Sequence, residues 1–123
     1  MKAKELIVRL PERTRRSVEE CYRRKDLNRD IEIFEKDELR KAVRVFKLLA
    51  NPVRLQILKF LSQGEHCVCL TSAALEIEQT IISHHISKLL KAGFLKQRIH
   101  GRMRFYSLKN KKLKEILEDV LEL

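Results

Sequence analysis

Residues 79–108 change hydrophobic period once, and that change restricts the fold more than any other feature of the chain. In QTIISHHISKLLKAG the apolar residues Ile82, Ile86, Leu89 and Leu90 fall at i, i+4, i+7 and i+8, the stripe of an amphipathic helix. Gly93 stands where a glycine commonly closes a helix. In the next stretch, FLKQRIHGRMRFYSL, Leu95, Gln97 and Ile99 alternate, then Arg104, Tyr106 and Leu108 do so beyond His100-Gly101-Arg102. That pattern predicts two strands joined by a tight turn.

The segments before it are helical. DELRKAVRVFKLLA places Leu39, Val43, Phe46 and Leu49 or Ala50 at helical spacing, and Asn51-Pro52 both stops it and starts the next helix. Asn is a good N-cap, and Pro suits the first helical position because its missing N–H has no partner there anyway. PVRLQILKFLSQ presents Leu55, Ile57, Leu58 and Leu61, and Gly64 closes it. EHCVCLTSAAL then opens a third helix over about residues 67–76. Only three glycines and two prolines occur in 123 residues, so little else interrupts a helical chain. The expected fold is mainly α (α+β): helix, helix, turn, helix and then a basic hairpin, the order of a winged helix-turn-helix with a two-stranded wing. Residues 1–36 read as a charged N-terminal arm with one short helix through SVEECYRR, and residues 37–123 as the domain. The terminal KLKEILEDVLEL carries Leu113, Ile116, Leu117, Val120 and Leu121 on one stripe. Such a helix either packs on its own core or pairs with a second copy.

Charge points to the partner. Between Gln79 and Lys114 there is no Asp or Glu, while ten Lys and Arg fall in that window. The remaining 17 basic residues match the 17 acidic ones, so the net +10 sits in one contiguous third of the chain. A one-sign block within a folding segment is the footprint of a polyanion binder. On the 79–91 helix the face left by the apolar stripe carries Thr80, Ser83, His84, Ser87, Lys88 and Lys91, with His85 at its edge. As a recognition helix it would set Ser and His against base edges or phosphates. The hairpin would bring Arg98, His100, Arg102 and Arg104 to the backbone or minor groove. The start MKAKELIVRLPER has no signal-peptide run and nothing reaches the length of a membrane span, so a cytoplasmic protein is expected, with no membrane partner.

Three cysteines, Cys21, Cys67 and Cys69, do not make a disulfide framework. In a reducing compartment Cys67 and Cys69 read as reactive, as metal-binding or as small buried hydrophobes. Thiolates select thiophilic ions, and three sulfurs suit As(III), Sb(III) or Pb(II). His66 would add a fourth donor for Zn(II) or Cd(II). No carboxylate pattern orients a histidine and no glycine-rich loop is present, which argues against a thiol enzyme. A redox-responsive repressor of the same fold and a non-specific architectural DNA binder stand as alternatives.

These residues together resemble the ArsR/SmtB family of metal-responsive repressors. The similarity runs from FKLLANPVRLQILKFL through Glu65-His66-Cys67-Val68-Cys69, Gln79-Thr80-Ile81-Ile82-Ser83-His84-His85-Ile86 and Leu89–Leu95 to the wing Gly101–Leu108. It covers about residues 40–110. The resemblance implies a homodimer, joined through terminal helices, that binds an inverted repeat in double-stranded DNA and is loosened by a metal. It adds Gln79 to the DNA-reading residues, assigns Cys67 and Cys69 to a thiol site, and makes Cys21 the candidate for a third sulfur. Leu70 departs from the family's usual Asp. Ser72 stands where some arsenic-responsive members have a third cysteine of this helix. The terminal helix has no histidine for the family's other, zinc-binding site.

Overall fold

A computed structural model describes residues 1–123, the side chain of Arg24 excepted. The chain forms two compact units, Met1–Lys41 and Ala42–Leu123. The first holds α1 (Ala3–Ile7), α2 (Glu12–Cys21) and α3 (Arg24–Leu27) and the start of α4 (Lys36–Leu49). The sequence reading expected one short helix before residue 37, and the structure has three. The unit is closed by its ends: the Ile31 N–H donates to the Met1 carbonyl at 2.7 Å, and Lys2 pairs with Asp30 at 3.1 Å. Its buried apolar side chains are Ala3 and Ile7, and neither is fully enclosed.

The second unit contains the rest of α4, then α5 (Pro52–Leu61), β1 (His66–Cys67), α6 (Val68–Leu75), α7 (Gln79–Lys91), β2 (Leu95–His100), β3 (Met103–Leu108) and α8 (Lys112–Asp119), with a 3-10 turn at Val120–Glu122. Asn51 caps α5, its side-chain oxygen accepting the Arg54 N–H at 3.0 Å, and Pro52 occupies the first turn. One aliphatic core joins these elements: Ile57, Leu58 and Leu61 of α5, Ile82, Ile86 and Leu89 of α7, Leu95, Tyr106 and Leu108 of the sheet, and Leu113 of α8. Each fully buried Leu or Ile stabilises the fold by about 1.5–3 kcal/mol relative to leaving it exposed.

The sheet has three antiparallel strands in the order β1-β3-β2 rather than the two expected. The additional strand is only His66-Cys67, which pairs with Tyr106 and Phe105. Its two residues are too few to show alternation. The helix expected over 67–76 therefore begins at Val68, and Cys67 is its extended N-cap.

The turn between α6 and α7 is held by Ser72. Its carbonyl accepts the N–H groups of Glu76 and Ile77, and its hydroxyl donates to the Ile77 carbonyl. Ser72 thus closes the helix-turn-helix turn. Glu76 caps α6 in the left-handed region, at φ 55° and ψ 42°.

α8 divides its stripe. Leu113 is buried in the unit's own core and Leu117 packs against it, whereas Ile116, Val120 and Leu121 are exposed. Of the five residues assigned to a dimer contact, Leu113 is thus committed to the core. On α4, Leu39, Val43 and Phe46 are also exposed.

Candidate nucleic-acid interface and thiol site

The exposed side of α7 carries Gln79, Thr80, Ser83, His84, Ser87, Lys88 and Lys91 with no acid among them. This follows from the stripe: Ile82, Ile86 and Leu89 bind the helix to the core, which turns the other face outward. His85 is half-buried at the edge of that face. Its Nδ1 lies 3.4 Å from the Arg54 guanidinium, and its ring meets His84 edge-on at 5.6 Å. Burial, then the positive charge of Arg54, holds the His85 pKa below its ordinary value. Arg54 is itself fixed by donating to the Leu48 carbonyl at 2.6 Å. Arg54 carries no local signal in the sequence, since its partner lies 31 residues away.

The wing divides its cations between the sheet's two faces. Cross-strand partners share a face, so Gln97 and Tyr106 lie on one, and Arg98 and Phe105 on the other. His100, Arg102 and Arg104 are exposed around the turn, where Gly101 takes φ 61°. Arg98 is differently placed: its guanidinium donates to Glu65 at 2.8 and 2.9 Å and lies over the Phe105 ring, 4.8 Å from the centroid. The hydrogen bond from Arg98 holds the Glu65 carboxyl below the usual carboxylate range. Arg98 therefore ties β2 to the residue before β1. Glu65 was not foreseen as its partner.

The thiols stand at the start of α6. Cys67 is half-buried, and its Sγ accepts the Leu70 N–H at 3.5 Å as the helix cap. Its carbonyl accepts the hydroxyl of the fully buried Thr71 at 2.8 Å. Cys69 is exposed, and its Sγ donates to Gln79 Oε1 at 3.7 Å, a sulfur contact at the first residue of α7. Both cysteines line an open groove of ≈ 470 Å³ whose other walls include Ser83, Ser87 and Leu90 of α7, Gln97, Arg104 and Tyr106 of the sheet, and Arg102 of the turn. The structure thus brings Cys67 and Cys69 together with the helix and wing residues read as DNA-facing. His66 is half-buried, its ring stacks on Phe60 with centroids 4.2 Å apart, and it is not among the residues lining the groove. Cys21 is exposed in the N-terminal unit. Among the described residues no three of His, Cys, Asp and Glu form a metal-holding group. No helix among them is long and apolar enough to cross a membrane.

Known proteins resemble this chain in sequence and in fold. The family model for bacterial regulatory proteins of the arsR family matches residues 51–97. An uncharacterized HTH-type transcriptional regulator of Methanocaldococcus jannaschii is 41% identical over 88 residues, which cover 71% of this chain and 99% of that protein. The arsenical resistance operon repressor of Bacillus subtilis is 33% identical, over 68% of this chain and 80% of its own length. Among solved structures, reduced HlyU of Vibrio cholerae superimposes with a TM-score of 0.62 at 34% identity, covering 68% of this chain and 87% of that one. The homodimeric winged helix-turn-helix DNA-binding domain of Mb0332 from Mycobacterium bovis gives 0.63 at 29% identity, covering 76% and 87%.

Proposed function

The chain belongs to the arsR family of DNA-binding transcriptional regulators, and from that premise we propose that it is a homodimeric repressor released from inverted-repeat DNA by a thiophilic ion held at Cys67 and Cys69. One observation carries the reading: both thiols open onto the groove between the exposed face of α7 and the wing. An ion taken there changes the surface that meets DNA. The arsenical resistance repressor of B. subtilis, 33% identical, supports a metalloid signal. The homodimeric Mb0332 domain supports two copies, for which the exposed Ile116, Val120 and Leu121 and the α4 residues Val43 and Phe46 offer apolar surface.

The donor set fits a thiophilic ion in part. Two sulfurs, one exposed and one half-buried, suit As(III), Sb(III), Cd(II) or Pb(II) better than a hard cation. An ion supplies a bond to both sulfurs at once. Residues i and i+2 on a regular helix do not face each other, but Cys67 is already extended and only Cys69 is helical. An ion bridging both would sit at the first turn of α6, where Cys67 Sγ still accepts the Leu70 N–H. DNA then weakens ion binding by the same factor by which the ion weakens DNA binding.

Anaerobic titration of the reduced chain with As(III) and Cd(II), followed by thiolate-to-metal absorption, tests this. One ion per chain is expected, with loss in Cys67→Ser and Cys69→Ser. The Cys21→Ser variant reads whether a third sulfur takes part. Absorption unchanged by either α6 variant would refute the thiol site. A redox signal is the second reading, favoured by the exposed thiols and by the similarity to HlyU, a structure described as reduced. Release of DNA by peroxide with no ion present would establish it. A salt slope with little preference between sequences would instead mark an architectural binder.

A further inference from the structure

The two thiols at the start of α6 hold opposite hydrogen-bonding roles. Cys67 Sγ accepts, from the Leu70 N–H. Cys69 Sγ donates, to Gln79 Oε1 at 3.7 Å. Only the second role is lost when a metal ion takes the place of the thiol hydrogen, because a metal-bound sulfur has lone pairs and no hydrogen. Cys67 keeps the same polarity in either state, while Cys69 reverses its own.

Gln79 is where that reversal is felt. It is the first residue of α7, exposed, and stands at the positive end of the helix dipole with its carboxamide on Cys69. A carboxamide has an acceptor at one end and two donors at the other. While Cys69 keeps its proton, the oxygen faces sulfur and the NH2 faces outward. Phosphate oxygens and base-edge acceptors are the groups an outward NH2 binds.

We infer that Gln79 is a polarity switch, a positioning residue that turns its carboxamide over when Cys69 exchanges its proton for a metal ion. This rests on the reading that DNA lies on α7 and that the thiols take the ion. The exchange is a ligand substitution: the S–H bond breaks, the sulfur–metal bond forms with the same electron pair, and the proton goes to solvent. No electron changes hands. Oε1 then faces a lone-pair-only sulfur, and a half-turn of the carboxamide brings the NH2 to it instead. The outward group becomes an oxygen, which repels the acceptors that the NH2 had bound. Cys67 anchors the ion, and Cys69 reports it to the reading helix.

The probe is fluorescence anisotropy of the full chain on a duplex selected from a random-sequence library by the wild type, with Cd(II) as the ion. Gln79→Glu presents acceptors at both ends. It is expected to bind the duplex on the order of tenfold more weakly without metal, and to respond little to Cd(II). Gln79→Met, similar in length and without hydrogen bonds, separates polarity from the added charge, and its Cd(II) response should also fall below that of the wild type. A metal-free arm uses Cys69 S-methylthiolated in a Cys21→Ser/Cys67→Ser background, which makes the sulfur a pure acceptor. Weaker duplex binding and a shift of the Gln79 side-chain amide resonances in 15N spectra are expected. Equal fold release by Cd(II) in wild type and both Gln79 variants overturns the switch, and so do amide resonances unmoved by methylthiolation. If the wild type fails to bind Cd(II), the metal reading falls, and the methylthiolated arm still decides the switch.

Discussion

The two units of this chain use similar residues to different ends. Met1–Lys41 interleaves 13 basic residues with 10 acidic ones, and its buried apolar side chains, Ala3 and Ile7, are not fully enclosed. Ala42–Leu123 carries 14 basic and 7 acidic residues over a closed aliphatic core drawn from α4, α5, α7, α8 and the sheet. Charge of one sign becomes a surface only where buried leucines and isoleucines fix which side of a helix faces water. On α7 they do, and its outward side is mostly polar, holds no acid, and carries its cations, Lys88 and Lys91, in the last turn. α2 buries no residue, and its charges, Glu12, Arg13, Arg15, Arg16, Glu19 and Glu20, are of both signs.

The largest test of this contrast is truncation of a core residue in each unit. Leu89→Ala is expected to cost about 2–5 kcal/mol in chemical denaturation, because a cavity is left among fully buried neighbours. Ile7→Ala should cost less, since fewer buried groups surround it. Equal losses would break the comparison. A smaller effect, on affinity, comes from charge. Arg102→Gln with Arg104→Gln should lower DNA affinity and reduce the slope of log K against log salt by about one for each phosphate no longer neutralised. Arg13→Gln with Arg16→Gln in α2 should leave that slope unchanged, and a matching fall would place the N-terminal unit on the DNA. The smallest effect is in pH. All four histidines lie in the second unit. The folded His85 pKa is lowered, so the folded state binds fewer protons than the unfolded one as pH falls below the ordinary 6.5. Its contribution to stability is therefore present above that value and declines below it. Melting temperatures at about pH 5 and about pH 7.5 should differ more for the wild type than for His85→Gln. An identical difference in both would remove His85 from the account.

What could be read in the sequence was what is local. The α7 stripe, Gly93 after it, the Asn51-Pro52 start and the hairpin about Gly101 each rest on a few adjacent residues, and the structure has all of them. The relation of Cys67 to the wing was not legible, because β1 is two residues long and exists through its pairing with Phe105 and Tyr106. Arg98 read as a free wing cation, since Glu65 lies 33 residues earlier in the chain. Leu113 and Ile116 read as one stripe, and only the packing of α8 separates the buried residue from the exposed one. The Cys69–Gln79 contact joins residues on two helices, which no periodicity records.

Glu76 has a consequence beyond its turn. A non-glycine residue held at φ 55° carries a penalty of about 1–2 kcal/mol that glycine at the same place avoids. A glutamate codon is one base away from a glycine codon. The turn therefore keeps a stabilising change one mutational step out of use, and it can offset a destabilising exchange on the exposed face of α7.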